Sequence, residues 1–109
     1  YVDIEQNEFV YPVKALAADD SCIDFVDTCR KFYKKLVENG VPKEDARYFM
    51  PMGMSTTLKM ACNFRELRHI LKQRLDPHAQ WEVRAVALEM LAICREKWPW
   101  LVEDIIKDL

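Results

Sequence analysis

Apolar residues recur every three or four positions over residues 21–39, at Cys22, Phe25 and Val26, Cys29, Phe32 and Tyr33, and Leu36 and Val37. That is the period of a helix with one buried face, and it predicts a helix across this stretch. Lys31, Lys34 and Lys35 fall late, where cations complement the helix dipole, and Gly40 stands where a C-terminal cap belongs. Upstream, residues 1–13 mix acids and aromatics around Pro12 and read as extended chain or loop with a short edge strand. Residues 14–20 read as a linker ending in Asp19-Asp20, good capping material. Downstream, Pro42 takes the first position of a short helix with Glu44 and Asp45 in its first turn. Arg47 sits near the end of that helix, and Pro51 stops it. MPMGM (50–54) is then a turn whose methionines read as core fillers.

From residue 55 the period changes. STTLKMAC (55–62) alternates Thr57, Lys59 and Ala61 with Leu58, Met60 and Cys62, which predicts a half-buried strand. Asn63 caps the next helix, and Glu66 three residues on makes a capping-box-like pair. Leu67, Ile70, Leu71 and Leu75 form its buried stripe, while Arg65, Arg68, His69 and Lys72 share another face. Asp76-Pro77 reads as a cap and a first helical residue, opening a helix to about Lys97. Its apolar band (Val83, Val86, Ala87, Met90, Leu91, Cys94) is wide enough to predict burial by several neighbours, other subunits among them. Trp98-Pro99-Trp100 breaks that helix, and a last amphipathic one covers 100–108. The expected fold class is α+β: mostly helix, with one or two short strands belonging to a larger antiparallel sheet.

Half of the 109 residues are hydrophobic and 31% are charged, so the chain folds and has a core of modest size. Its net charge of −2 argues against a globally basic nucleic-acid binder. No apolar run approaches the roughly 20 residues that span a bilayer, and no signal peptide is visible. Cys22, Cys29, Cys62 and Cys94 form no C-x-x-C pair and lie in apolar surroundings. They read as buried reduced thiols of a cytoplasmic protein rather than disulfides or metal ligands. The chain begins at Tyr1 in mid-pattern and reads as a piece of a longer protein.

Catalytic templates are missing. There is no Gly-rich phosphate loop, no G-x-S-x-G, no H-E-x-x-H, and no nucleophile paired with a base; His69 and His78 have no carboxylate at ligand spacing. What stands out is the start of the helix at Asn63. Arg65, Arg68, Lys72 and Arg74 face a single acid, Glu66, over residues 63–75, in a chain that is otherwise acidic. A helix start rich in cations suits a phosphate-bearing ligand, and arginine offers a planar fork to phosphate oxygens or uracil-like carbonyls. A solvated basic face explains the same residues, and Arg74 alone reads equally as a dipole partner or a salt bridge to Asp76 or Glu82.

The order of features resembles a known family. Val41-Pro42-Lys43-Glu44-Asp45-Ala46-Arg47, a proline at 51, then N-x-R-x-L-x-H-x-L-x-x-R (63–74) and H-A-Q-W-E-V-R (78–84) closely resemble the C-terminal half of the flavin-dependent thymidylate synthases. The resemblance implies that residues 1–109 are the C-terminal portion of a single synthase domain. It implies conversion of dUMP to dTMP with methylenetetrahydrofolate as carbon donor, NADPH as reductant and FAD as hydride relay, in a homotetramer whose active sites are shared between subunits. Position by position, it implies that Asn63, Arg65 and His69 contact the flavin, that Arg47 binds dUMP, and that Arg74 binds dUMP and activates its uracil ring. Arg68 and Lys72 match no functional position and return to the solvated-face reading. The family's Arg-His-Arg signature, with its downstream Ser, is absent; it lies shortly before a tyrosine that Tyr1 resembles, so residues 1–109 alone are expected to be inactive. Two other readings stay open: a structural or assembly homologue that lost the chemistry, and a helical nucleic-acid-binding module using Arg65, Arg68, Lys72 and Arg74.

Overall fold

Helix makes up every regular element of the computed structural model, which describes residues 9–109. The chain divides between Lys59 and Met60 into two compact units. The first contains α1 (Val13–Ala18), α2 (Cys22–Glu38), α3 (Lys43–Ala46) and a 3-10 turn (Arg47–Phe49). The second contains α4 (Phe64–Arg74), α5 (Trp81–Lys97) and α6 (Pro99–Lys107).

In the first unit, α2 follows its apolar period but buries only part of it. Val26 and Tyr33 are buried, whereas Phe25 and Phe32 are exposed. Tyr33 packs with Ala46 of α3, and Leu36, Val37, Val41, Met50 and Met54 close around them. Two of the three turn methionines therefore fill a core, while Met52 is fully exposed. Gly40 ends α2 with φ +88°, the left-handed conformation that glycine adopts without a Cβ penalty. Pro42 stands one place earlier than its sequence position predicts, at the N-cap of α3 rather than inside it. The expected linker at 14–20 is largely helix α1, which buries nothing. Asp19 then turns the chain into α2, its Oδ1 accepting the Ser21 N–H at 3.0 Å.

The expected α+β class is corrected. Among the described residues there is no strand and no sheet, only an isolated antiparallel bridge between Phe9 and Met54. Of the expected N-terminal extended segment, residues 1–8 lie outside the described residues, 10–12 form no strand, and Val13 already opens α1. The alternating segment 55–62 has no ladder. A strand needs a partner edge for its N–H and C=O groups and a core for one face. Here Leu58 and Met60, the would-be inner face, are 75% and 56% exposed, and Cys62 is exposed as well. The segment crosses the division between the units and belongs to neither core.

The second unit is a three-helix cluster. Leu71 and Leu75 of the α4 end meet Ala87, Leu91 and Cys94 of α5 and Leu101, Val102 and Ile105 of α6. Phe64, at the first position of α4, sets its ring edge-on to Trp98 and Trp100, at centroid distances of 5.0 and 5.9 Å. Pro99 stops α5 and starts α6, because a proline has no N–H to continue the earlier ladder. Of the four cysteines, all free, only Cys94 is buried, and desolvation there pushes its thiol above the ordinary value.

Candidate functional site

Asn63 has an extended backbone, and its Oδ1 accepts the N–H of Glu66 at 2.8 Å. That bond satisfies one orphan donor of the first turn and leaves the amide N–H2 group of the exposed Asn63 without a partner among the described residues. Only this half of the expected capping box forms. Arg65, His69, Lys72 and Arg74 are exposed, and none makes a side-chain hydrogen bond or ion pair among the described residues.

Helical geometry sorts these groups. Arg65, His69 and Lys72 follow one another at spacings of four and three, so they share one face. Arg74 lies nine residues beyond Arg65, which at 3.6 residues per turn brings it out on roughly the opposite side of α4. The structure therefore groups Arg65 with His69 and separates Arg74 from both. Arg47 belongs to the other unit, at the start of the 3-10 turn, where it lines a shallow concavity with Glu44, Tyr48 and Met52.

Arg68 departs from the solvated-face reading. Its guanidinium donates bidentately to Asp104 of α6, Nη1 to Oδ1 at 2.8 Å and Nη2 to Oδ2 at 2.7 Å. It also donates to the Leu101 carbonyl. This fork holds the Asp104 carboxyl far below the usual carboxylate range and raises Arg68 above its own ordinary value. Arg68 thus clamps α4 to α6, and the free cations of α4 are the remaining ones.

The chain after α4 differs from its sequence reading. Asp76 does not cap a helix at Pro77; α5 begins at Trp81. Asp76 instead holds a turn, its Oδ1 accepting the His78 N–H at 2.8 Å, with the His78 ring 3.0 Å away. Those two contacts lower the Asp76 carboxyl, backbone contact first, and Arg84 adds to the effect. Gln80 is the real cap of α5, its Oε1 accepting from Glu82 and Val83 at 3.0 and 3.1 Å. Arg84 reaches back so that its Nε donates to the Leu75 carbonyl at 3.2 Å. A half-open cleft of about 620 Å³ lies here, lined among others by Lys72, Leu75, Pro77, Arg84, Leu88 and Ile105. Nothing local to Arg68 could have announced a partner 36 residues away. Arg84 does carry a signal in the sequence, the H-A-Q-W-E-V-R stretch (78–84), although the resemblance gives it no functional position.

The family model of the thymidylate synthase complementing proteins matches residues 1–100. The chain belongs to this family. Among its relatives, one from Thermosipho melanesiensis, named flavin-dependent thymidylate synthase, is 32% identical over 108 residues, covering 95% of this chain and 47% of the relative. A second of that name, from Thermotoga neapolitana, is 43% identical over 75 residues, 69% of this chain and 35% of the relative. A third, from Sulfurisphaera tokodaii, is 45% identical over 69 residues, 63% of this chain and 27% of the relative. The chain spans about half the length, or less, of the curated relatives it matches.

Proposed function

We propose that residues 1–109 are the C-terminal portion of a flavin-dependent thymidylate synthase domain, and that the whole enzyme is a cytoplasmic homotetramer converting dUMP to dTMP. Methylenetetrahydrofolate donates the carbon and NADPH the reducing equivalents. The observation that carries this reading is α4: a capped helix start with an unspent amide, an exposed guanidinium and an exposed imidazole, ending in a separate exposed arginine. Those groups fit the cofactor that the relatives' name implies, because a flavin nucleotide presents phosphate oxygens that accept from N–H donors. Asn63, Arg65 and His69 would hold FAD, which when bound supplies hydride transfer.

Arg47 and Arg74 take dUMP. A guanidinium beside the pyrimidine is an obligate cation, so it stabilises negative charge on N3 and the flanking carbonyls. The ionised ring carries more electron density at C5, the carbon that must attack, and no enzyme nucleophile is required. The clamp on Arg68 weighs against the nucleic-acid reading, since it withdraws one of the four cations on which that reading depends.

Arg74→Ala in the full-length enzyme should abolish dTMP formation while circular dichroism and flavin content stay at wild-type values. Normal turnover by that variant would falsify the role given to Arg74. Residues 1–109 alone, supplied with dUMP, FAD, NADPH and methylenetetrahydrofolate, should form no dTMP above a no-protein control.

A further inference from the structure

We infer that Arg84 is a positioning residue, which holds the C-terminal end of α4 so that Arg74 is presented in one orientation to its ligand. The inference rests on the reading of Arg74 as the dUMP-binding cation.

Helix ends leave carbonyls without intrahelical partners, and the last turn frays unless something accepts the task of holding it. Leu75, the residue after Arg74, is the C-cap of α4. Its side chain is buried in the three-helix core, which anchors one side of the backbone at this point. Its carbonyl receives the Arg84 Nε–H at 3.2 Å, which anchors the other. Arg84 is itself half-buried on the first turn of α5, close to the Gln80 cap that fixes where that helix begins. Between the two anchors, residues 76–79 are folded by the Asp76 carboxylate onto the His78 N–H and by the Ala79 N–H onto the Asp76 carbonyl at 2.9 Å. The segment 75–84 is therefore a closed loop of short-range bonds whose two ends meet at the residue beside Arg74. This gives a structural account of the H-A-Q-W-E-V-R motif, to whose residues the resemblance attaches no role.

A long side chain such as arginine loses rotamer freedom on binding, and a frayed backbone beneath it adds to that loss. Removing the Arg84 bond should thus weaken dUMP binding without touching the flavin face, which lies on the other side of α4. The experiment uses the full-length FAD-loaded enzyme with Arg84→Ala, Arg84→Lys and Arg74→Ala, reading dUMP affinity by flavin absorbance, FAD content per protomer, and KM and kcat for dUMP. Arg84→Ala should keep its FAD and raise the dUMP dissociation constant on the order of 10-fold, the value of one charge-assisted hydrogen bond. Added guanidinium should restore part of that affinity in Arg84→Ala and none in wild type. Arg84→Lys, which keeps a cationic donor and guards against a misfolded alanine variant, should fall between the two. Wild-type dUMP affinity in both Arg84 variants, with Arg74→Ala impaired, overturns the positioning role alone. Equal loss of FAD and dUMP in both Arg84 variants also overturns it, since that marks a general structural role. Unimpaired dUMP binding by Arg74→Ala overturns the reading on which the inference rests.

Discussion

Asn63 does two things with one side chain, and the two can be separated. Its Oδ1 caps α4, while its amide N–H2 is the part assigned to the flavin. Asn63→Asp keeps an equally good cap and adds a charge that favours a helix N-terminus, so the melting temperature should hold. The same change replaces a donor with an anion and should strip FAD from the full-length enzyme. Asn63→Ala should cost about 1 kcal/mol of helix stability as well. Thermal melts and flavin absorbance per protomer check both, and an aspartate variant that stays fully yellow would remove Asn63 from the flavin site. Asp104 is the other informative residue. Its carboxyl is depressed by Arg68 first of all, so its contribution to stability is fully present above the unfolded carboxylate value of about 4. That contribution is lost as pH falls below there toward the folded value. Wild type should therefore melt above Asp104→Asn at neutral pH, and the gap should narrow below about pH 4. A gap independent of pH would show that the fork with Arg68 is not the cause.

At the scale of elements, the two glycines show how different the reasons for one residue type can be. Gly40 ends α2 at φ +88°, and a Cβ added there meets nothing within 4 Å. Gly40→Ala should cost only the left-handed penalty, about 1–2 kcal/mol. Gly53 has no such φ, but an added Cβ would come 2.5 Å from the Phe9 ring and 2.7 Å from the Val10 carbonyl oxygen. A ring can turn aside; the backbone oxygen of Val10, whose own N–H donates to the Gly53 carbonyl at 2.6 Å, cannot. Gly53→Ala should therefore be the more damaging change and should open the Phe9–Met54 bridge, seen as faster amide exchange at Val10. Equal melting temperatures for the two variants would contradict this. Periodicity and caps located α2, α4 and α6 to within a residue or two, because each is decided by groups inside one or two turns. The start of α5 escaped the same reasoning. Asp76-Pro77 is sound cap chemistry, yet Asp76 spends its acceptor on His78 and the helix waits for Gln80.

For the whole molecule, α5 carries the clearest message. Ala87, Leu91 and Cys94 are buried, while Val86 and Ile93 are 53% and 54% exposed. Of the apolar band read from the sequence, Ala87, Leu91, Cys94 and the partly buried Met90 thus pack into the chain's own core, while Val83 and Val86 form an outer half that Ile93 extends. In the proposed homotetramer, that outer half is where a neighbour would bury area worth roughly 25 cal/mol per Å². Val86→Glu with Ile93→Glu in the full-length enzyme should shift its mass in solution, by light scattering, to smaller species. An unchanged tetramer would separate this face from assembly.

What the sequence determined by itself is what short-range physics decides: the helical period, the Asn63 cap, the glycine stop at 40 and the proline break at 99. The tertiary structure decided the rest. It took Arg68 out of the basic face, because an aspartate 36 residues away on α6 lies at bonding distance. It left residues 55–62 without strand structure, because alternation makes a ladder only beside a partner edge and against a core. It also tied Arg84 back to the residue next to Arg74, a contact that exists only once the 76–80 turn has closed.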